Sequence, residues 1–187
     1  QVVNSMLDVA RLENQILTPH LEPVILGPLL RLIRKDYVEE LQERQISLEL
    51  DSSINSAPQV LADSVLLKKA IENLIVNAIK FTPDGGSIFV DAQVVQADGR
   101  GELCEIRVRD TGIGIDPANH KIIFEKRYQL GKVELHSSGR TKFKGGGPGL
   151  GLAIAAGIVK AHQGNIWVES PGYDEESLPG STFVIQI

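Results

Sequence analysis

Between Asp63 and Phe81 the chain reads DSVLLKKAIENLIVNAIKF, and this stretch constrains the fold more than any other. Leu67, Ala70, Ile71, Leu74, Ile75 and Ala78 recur at helical spacing and make one wide apolar face. Such a face has to be buried against another layer of structure. Asp63 stands where an N-cap belongs, and Pro83-Asp84-Gly85-Gly86 closes the segment with a turn. The helix also carries a polar stripe: Asn73 and Asn77 are four apart, Lys80 is three further on, and the three share a face. Asparagine is a poor helix former, so two of them beside a core face lower stability unless they have a task. Amide oxygens are hard ligands suited to Mg²⁺, and Lys80 can meet phosphate as a point charge. The alternative is a satisfied amide pair on an exposed edge.

The other elements follow from periodicity and breakers. Val3, Met6, Leu7 and Ala10 give residues 1–17 a helical stripe that needs a partner outside the chain, and Thr18-Pro19-His20 breaks it. A second helical pattern runs from Leu26 to Arg44. Ile46–Leu50 and Pro58–Ala62 read as strands. Ser87–Val95 and Glu102–Arg109 read as a hairpin turned at Asp98-Gly99. Gly149–His162 is helical with Gly164 as its stop, and Asn165–Ser170 and Ser181–Ile187 are the last strands. The expected fold class is α/β: a two-layer sandwich, with one mixed, mostly antiparallel sheet covered by helices.

A chain of 187 residues is one domain, or one domain with a short appendage. A net charge of -5 argues against nucleic-acid binding, which needs a basic footprint. The longest apolar run, Gly149 to Val159, is 11 residues, short of the roughly 18 that a membrane span requires, so no membrane contact is expected. A single cysteine, Cys104, excludes an internal disulfide or a multi-thiolate metal site. The chain begins at Gln1, which reads as a piece of something longer.

Glycine and charge are both unevenly placed. Nine of the 18 glycines lie between Gly112 and Gly151. From Lys121 to Lys144 seven cations face two anions, +5 in a chain that totals -5. A basic, glycine-bounded loop in an acidic protein suggests a small anionic ligand. At one side of this region, the strand ending at Asp110 runs into Thr111-Gly112-Ile113-Gly114-Ile115. There the carboxylate can accept from an exocyclic amine, and Ile113 and Ile115 can wall a flat ring. At the other side, Gly145-Gly146-Gly147-Pro148-Gly149-Leu150-Gly151-Leu152 opens a helix whose free N–H groups suit an anion. No GxxxxGK[ST] and no GxGxxG occurs, so neither a P-loop nor a dinucleotide fingerprint is present.

Taken together, these segments resemble the ATP-binding catalytic domain of sensor histidine kinases, within the gyrase, chaperone, histidine kinase and mismatch-repair ATPase superfamily with its Bergerat-type fold. Asn73–Pro83 looks like the N box and Asp110–Ile115 like the first glycine box. Ile123–Gln129 looks like the F box, Gly147–Ile154 like the second glycine box, and Gly180–Phe183 like the closing strand motif. The likeness covers nearly all of residues 24–187. It implies that Asn77, with Asn73, holds Mg²⁺ bridging the ATP phosphates, that Lys80 contacts phosphate, and that Phe81 packs near the nucleoside. Asp110 would bind the adenine amine, with Gly112, Gly114, Ile115 and Ser181 around it and Tyr128 nearby. Gly149, Leu150, Gly151 and Leu152 would sit at the phosphate-facing helix start. Residues 125–148 would be the ATP lid, and Arg127, Lys142 or Lys144 would supply the cation that Gln129, in a place often held by arginine, cannot.

Catalysis would rest on Asn73, Lys80 and Arg127, with ATP and Mg²⁺ as cofactors. The hydrolases of the superfamily carry a glutamate where this chain has Asn73, and Glu72 points about 100° away on the helix. Transfer to a nucleophile is therefore expected over hydrolysis. That nucleophile is not in the chain: His20, His120, His136 and His162 all lack the acceptor context. Residues 1–20 would be the end of a dimerisation helix and its linker, and 21–187 the catalytic domain. The full-length protein would be a homodimer, with this part in the cytoplasm and a response regulator receiver domain as partner. A serine kinase of the same superfamily, or a nucleotide-sensing module with decayed catalysis, is the other reading.

Overall fold

The computed structural model describes residues 18–56, 59–97, 99, 101–125, 141–145 and 149–187. Five strands form one sheet: β2 (Ser47–Leu50), β4 (Ser87–Ala97), β5 (Gly101–Asp110), β7 (Ser181–Gln186) and β6 (Asn165–Glu169), in that spatial order. All pair antiparallel except β2 with β4. A small antiparallel ladder of β1 (Glu22–Val24) on β3 (Val60–Ala62) lies apart from it. The helices are α1 (Leu26–Asp36), α2 (Val38–Glu43), the single turn α3 (Ser53–Ser56), α4 (Ser64–Phe81) and α5 (Gly151–Ala161). This is the expected mixed, mostly antiparallel sheet with helices over it.

Helix α4 forms as its sequence dictates. Asp63 Oδ1 accepts from the N–H groups of Val65 and Leu66, at 3.1 and 3.0 Å, which satisfies two orphan donors. Pro83 ends the helix by driving Thr82 into an extended conformation (ψ 128°). Leu67, Ala70, Ile71, Leu74, Ile75, Ala78 and Ile79 are all buried. They pack with α5 over Ile88, Val90 and Ala92 of β4, Cys104, Ile106 and Val108 of β5, and Phe183 and Ile185 of β7. Each large side chain so buried contributes about 1.5–3 kcal/mol.

Three local expectations change. The pattern from Leu26 to Arg44 is two helices, because Tyr37 leaves helical geometry (φ -115°, ψ 14°) and buries its side chain. Strand β1 and the turn α3 were not read from the sequence. Helix α5 ends at Ala161 with Gln163, not Gly164, in the left-handed region (φ 59°). Gln163 N–H donates to Lys160 O at 2.9 Å and Gly164 N–H to Val159 O at 2.9 Å, a Schellman ending. Gly164 is needed for space instead: a Cβ there would stand 2.4 Å from Ile187 Cγ2. Helix α2 ends the same way with Gln45 (φ 52°).

Candidate functional site

The C-terminal half of α4 forms one wall of the site. Asn73, Asn77, Lys80 and Phe81 are all half-buried there. Asn73 Nδ2 donates to Lys69 O at 2.9 Å, leaving Oδ1 turned toward the start of α5. Gly151, the first residue of α5, lies against it, and a Cβ there would stand 3.1 Å from Asn73 Oδ1. The start of α5 and Asn73 are therefore neighbours. Helix α5 has no side-chain N-cap; its N-cap residue is Leu150, so its first N–H groups receive no side-chain acceptor from that position. Leu150 itself is buried in the core, and Leu152 packs against the core partly buried. Lys80 Nζ lies 5.0 Å from the centre of the Phe81 ring, and burial lowers its pKa.

The first glycine turn lies at the end of β5. Asp110 is 5% exposed, and Gly112 N–H donates to its Oδ1 at 2.9 Å. Burial pushes its pKa up from 3.8 to about 7, against the pull of hydrogen bonds from the backbone N–H groups of Gly112 and Ser181. Ser181, buried opposite Asp110 in the ladder, thus contributes its backbone N–H. Ile113 and Ile115 are buried. Ile113 N–H donates to Phe81 O at 3.2 Å, which ties this turn to the end of α4. Gly114 has φ +71°, and a Cβ there would stand 2.0 Å from Gly172 O. The close approach that Gly114 permits here is that of the segment 170–180, held by Asp174 N–H to Ile113 O at 2.8 Å and Ile115 N–H to Ser170 Oγ at 3.0 Å.

Around the two turns, the remaining residues take defined places. Phe124 stacks edge-on against Phe183 at 6.3 Å between ring centres. Lys144 N–H donates to Lys80 O at 2.9 Å, and Lys144 Nζ pairs with Glu175 at 2.5 Å. Glu72 is paired with Lys68 at 2.9 Å. His162 accepts from Asp63 N–H at Nε2 (3.0 Å) and lies 2.8 Å from Ile158 O at Nδ1, a bridging role between α4 and α5. Arg127, Tyr128, Gln129, Gly147, Pro148 and His136 lie outside the described residues. Among the described residues, no three His, Cys, Asp or Glu side chains gather to hold a metal, and no helix is long and apolar enough to cross a membrane.

Residues 62–187 match the family model of the histidine kinase-, DNA gyrase B- and HSP90-like ATPases. The chain belongs to this family. Among curated relatives of this ATPase domain, drug sensory protein A of Synechocystis sp. is 34% identical over 91% of this chain and 25% of its own length. The hybrid signal transduction histidine kinase D of Dictyostelium discoideum is 33% identical over 91% of the chain and 10% of its own length. The chain thus spans a quarter or less of these relatives. Among solved structures, full-length ShkA in complex with AMPPNP superposes with a TM-score of 0.79 at 28% identity, covering 99% of this chain and 34% of that one. The mycobacterial sensor histidine kinase MprB gives 0.65 at 27%, covering 89% and 96%.

Within this ATPase-family domain, sequence reading missed two contributors. Ser170, expected as the last residue of a strand, lies just past the end of β6 and bonds the first glycine turn instead. Arg44, at the end of α2, reaches the C-terminal end of α4 and Thr141. A serine beside Pro-Gly and a helix-terminal arginine carry no local signal of such contacts.

Proposed function

We propose that this chain binds Mg·ATP between the two glycine turns and presents the γ-phosphate to a histidine on an upstream dimerisation domain. The observation that carries the reading is the pairing of a buried carboxylate at one end of the site with an open helix start and two amide side chains at the other. Asp110 suits an exocyclic amine donor, since its carboxylate is aimed by two backbone N–H groups in a place with little water. The start of α5 suits phosphate, because its leading N–H groups and the helix dipole favour an anion.

The residues present fit the metal as well. Asn73 Oδ1 is turned toward the helix start, and amide oxygens are Mg²⁺ ligands that leave room for phosphate oxygens and water. Asn77 and Asn73 would hold the ion, which supplies charge neutralisation across the phosphates when bound. Lys80, lacking an ion-pair partner among the described residues, is the cation at the end of the same helix face. Phosphoryl transfer needs mainly positioning and charge neutralisation from such a site. Glu72 is engaged by Lys68, which supports transfer over activation of water. The names of the relatives and the AMPPNP complex of ShkA support the same reading.

The wider proposal is that residues 1–20 are the end of a dimerisation helix and its linker, 21–187 the catalytic domain, and 125–148 its lid. The full-length protein is then a homodimer acting in the cytoplasm on a response regulator. The test is calorimetric titration of a non-hydrolysable ATP analogue with and without Mg²⁺. Mg²⁺-dependent binding is the expected result; a folded sample that binds nothing overturns the reading.

A further inference from the structure

Arg44 buries a guanidinium (7% exposed) where four segments meet. Its Nε donates to Asp84 Oδ1. Its Nη2 donates to Thr82 O at 2.8 Å, and its Nη1 to Ile79 O at 3.2 Å and to Thr141 O. Its backbone carbonyl accepts from Gly85 N–H at 3.1 Å. The guanidinium carbon also lies 5.8 Å from the centre of the Phe143 ring.

These contacts do two things at once. They neutralise carbonyls at the negative end of α4, where a cation is favoured. They also fasten the Thr141–Gly145 turn to that helix end. Among the described residues the turn has two further ties, Lys144 N–H to Lys80 O at 2.9 Å and Lys144 Nζ to Glu175 at 2.5 Å, and it carries Lys142 and Lys144. Without Arg44, the turn would keep these two ties, both through Lys144, and lose the clamp that holds Thr141. Only a planar fork reaches three carbonyls and a carboxylate in one rigid geometry; a lysine in its place is a single point charge. Cations fixed before the ligand arrives bind phosphate better than cations that must be ordered on binding.

We infer that Arg44 is a positioning residue for the phosphate end of the nucleotide site: its buried guanidinium sets the Thr141–Gly145 turn, and with it the backbone of Lys144, against Lys80 at the end of α4. This rests on the ATP-site reading above. It separates Arg44 from Asp110, which acts at the opposite end of the site.

The experiment compares the affinity of AMPPNP with Mg²⁺ to that of adenosine, alongside thermal melting, for Arg44→Lys, Phe143→Ala and Asp110→Asn. Arg44→Lys should weaken AMPPNP about tenfold and leave adenosine unchanged in the folded protein. Phe143→Ala removes a ring that is 39% exposed, so melting should move by less than about 2 °C while AMPPNP weakens about threefold. It keeps the test alive if Arg44→Lys does not fold. Equal loss of both ligands, or unchanged AMPPNP affinity in the folded variants, overturns the role of Arg44. Adenosine binding that survives Asp110→Asn overturns the site reading underneath it, whatever Arg44 does.

Discussion

The two ends of the site are built in opposite ways. At the β5 end, backbone meets backbone: Ile113, Gly114 and Ile115 are buried, and N–H groups bond Phe81 O, Ser170 Oγ and the Asp110 carboxylate. Little there can move without breaking the sheet edge. At the α5 end, the half-buried side chain of Asn73 faces the helix start, and Lys80 Nζ lies over the Phe81 ring. A flat, neutral ring is recognised by fixed direction, so a rigid frame suits it. A polyanion with a metal is met by point charges and amide oxygens, which side chains supply. The proposed site separates the two tasks between the end of β5 and the start of α5.

Asp110→Asn should break the comparison most deeply. We expect at least about a hundredfold loss of nucleotide affinity, about 2.7 kcal/mol, with or without Mg²⁺. Stability should move the other way. With a folded pKa of about 7 against 3.8 in the unfolded chain, the native state favours the protonated carboxyl. Well below pH 3.8 both states are protonated and the group costs nothing. As pH rises to about 7 the unfolded state releases its proton first, so stability is lost; above that the cost is constant, on the order of 4 kcal/mol. Removing the charge should therefore raise the denaturant midpoint at pH 8, and most of the gain should be gone by pH 4. A midpoint that falls equally at both pH values would show that the carboxylate is a structural anchor.

Asn77→Ala tests the other end. Affinity for AMPPNP should drop about tenfold with Mg²⁺ and stay unchanged without it, because only the metal contribution is removed. If the metal-free affinity falls as well, Asn77 contacts the nucleotide directly.

How much of this was legible in the sequence follows the same division. Helix α4, its Asp63 cap, the first glycine turn and the glycine at the start of α5 are local, carried by periodicity and by runs of glycine, and they were readable. What escaped depends on residues far apart in the chain. The fork of Arg44 meets Thr141 across 97 positions, and His162 meets Asp63 across 99. The parallel pairing of β2 with β4 aligns Ser47 with Ser87, a register no local pattern announces. The Schellman endings use glutamine at the left-handed position, where glycine is the usual signal. Ser170 matters only because the chain folds back over Gly114.

Ser170→Ala sharpens the rigid end at smaller scale. Its Oγ accepts from Ile115 N–H and lies 2.7 Å from Gly180 O as donor. Losing it leaves a buried N–H unpaired, a cost of about 1–2 kcal/mol by chemical denaturation. Adenosine affinity should fall with it and Mg²⁺ dependence should not change. A stability loss with intact adenosine affinity would show that the loop supports the fold without shaping the site.

Glu175→Gln should have the smallest effect and the opposite sign. Glu175 accepts from Lys144 Nζ at 2.5 Å and from the Tyr173 hydroxyl, and these bonds hold its pKa below the ordinary range. The carboxylate is exposed, so salt weakens the pair. With Lys144 set beside Lys80, Glu175 competes with phosphate for its ammonium. Removing the charge should then tighten AMPPNP about two- to threefold at low salt, with no difference at 0.5 M salt, where the Debye length is only a few ångströms. Because that carboxylate is ionised until well into the acid range, the effect should be constant from pH 6 to pH 8, unlike that of Asp110→Asn. Weaker binding instead would mean that the Lys144–Glu175 pair holds the turn in place for the nucleotide, the same task argued for Arg44 from the other side.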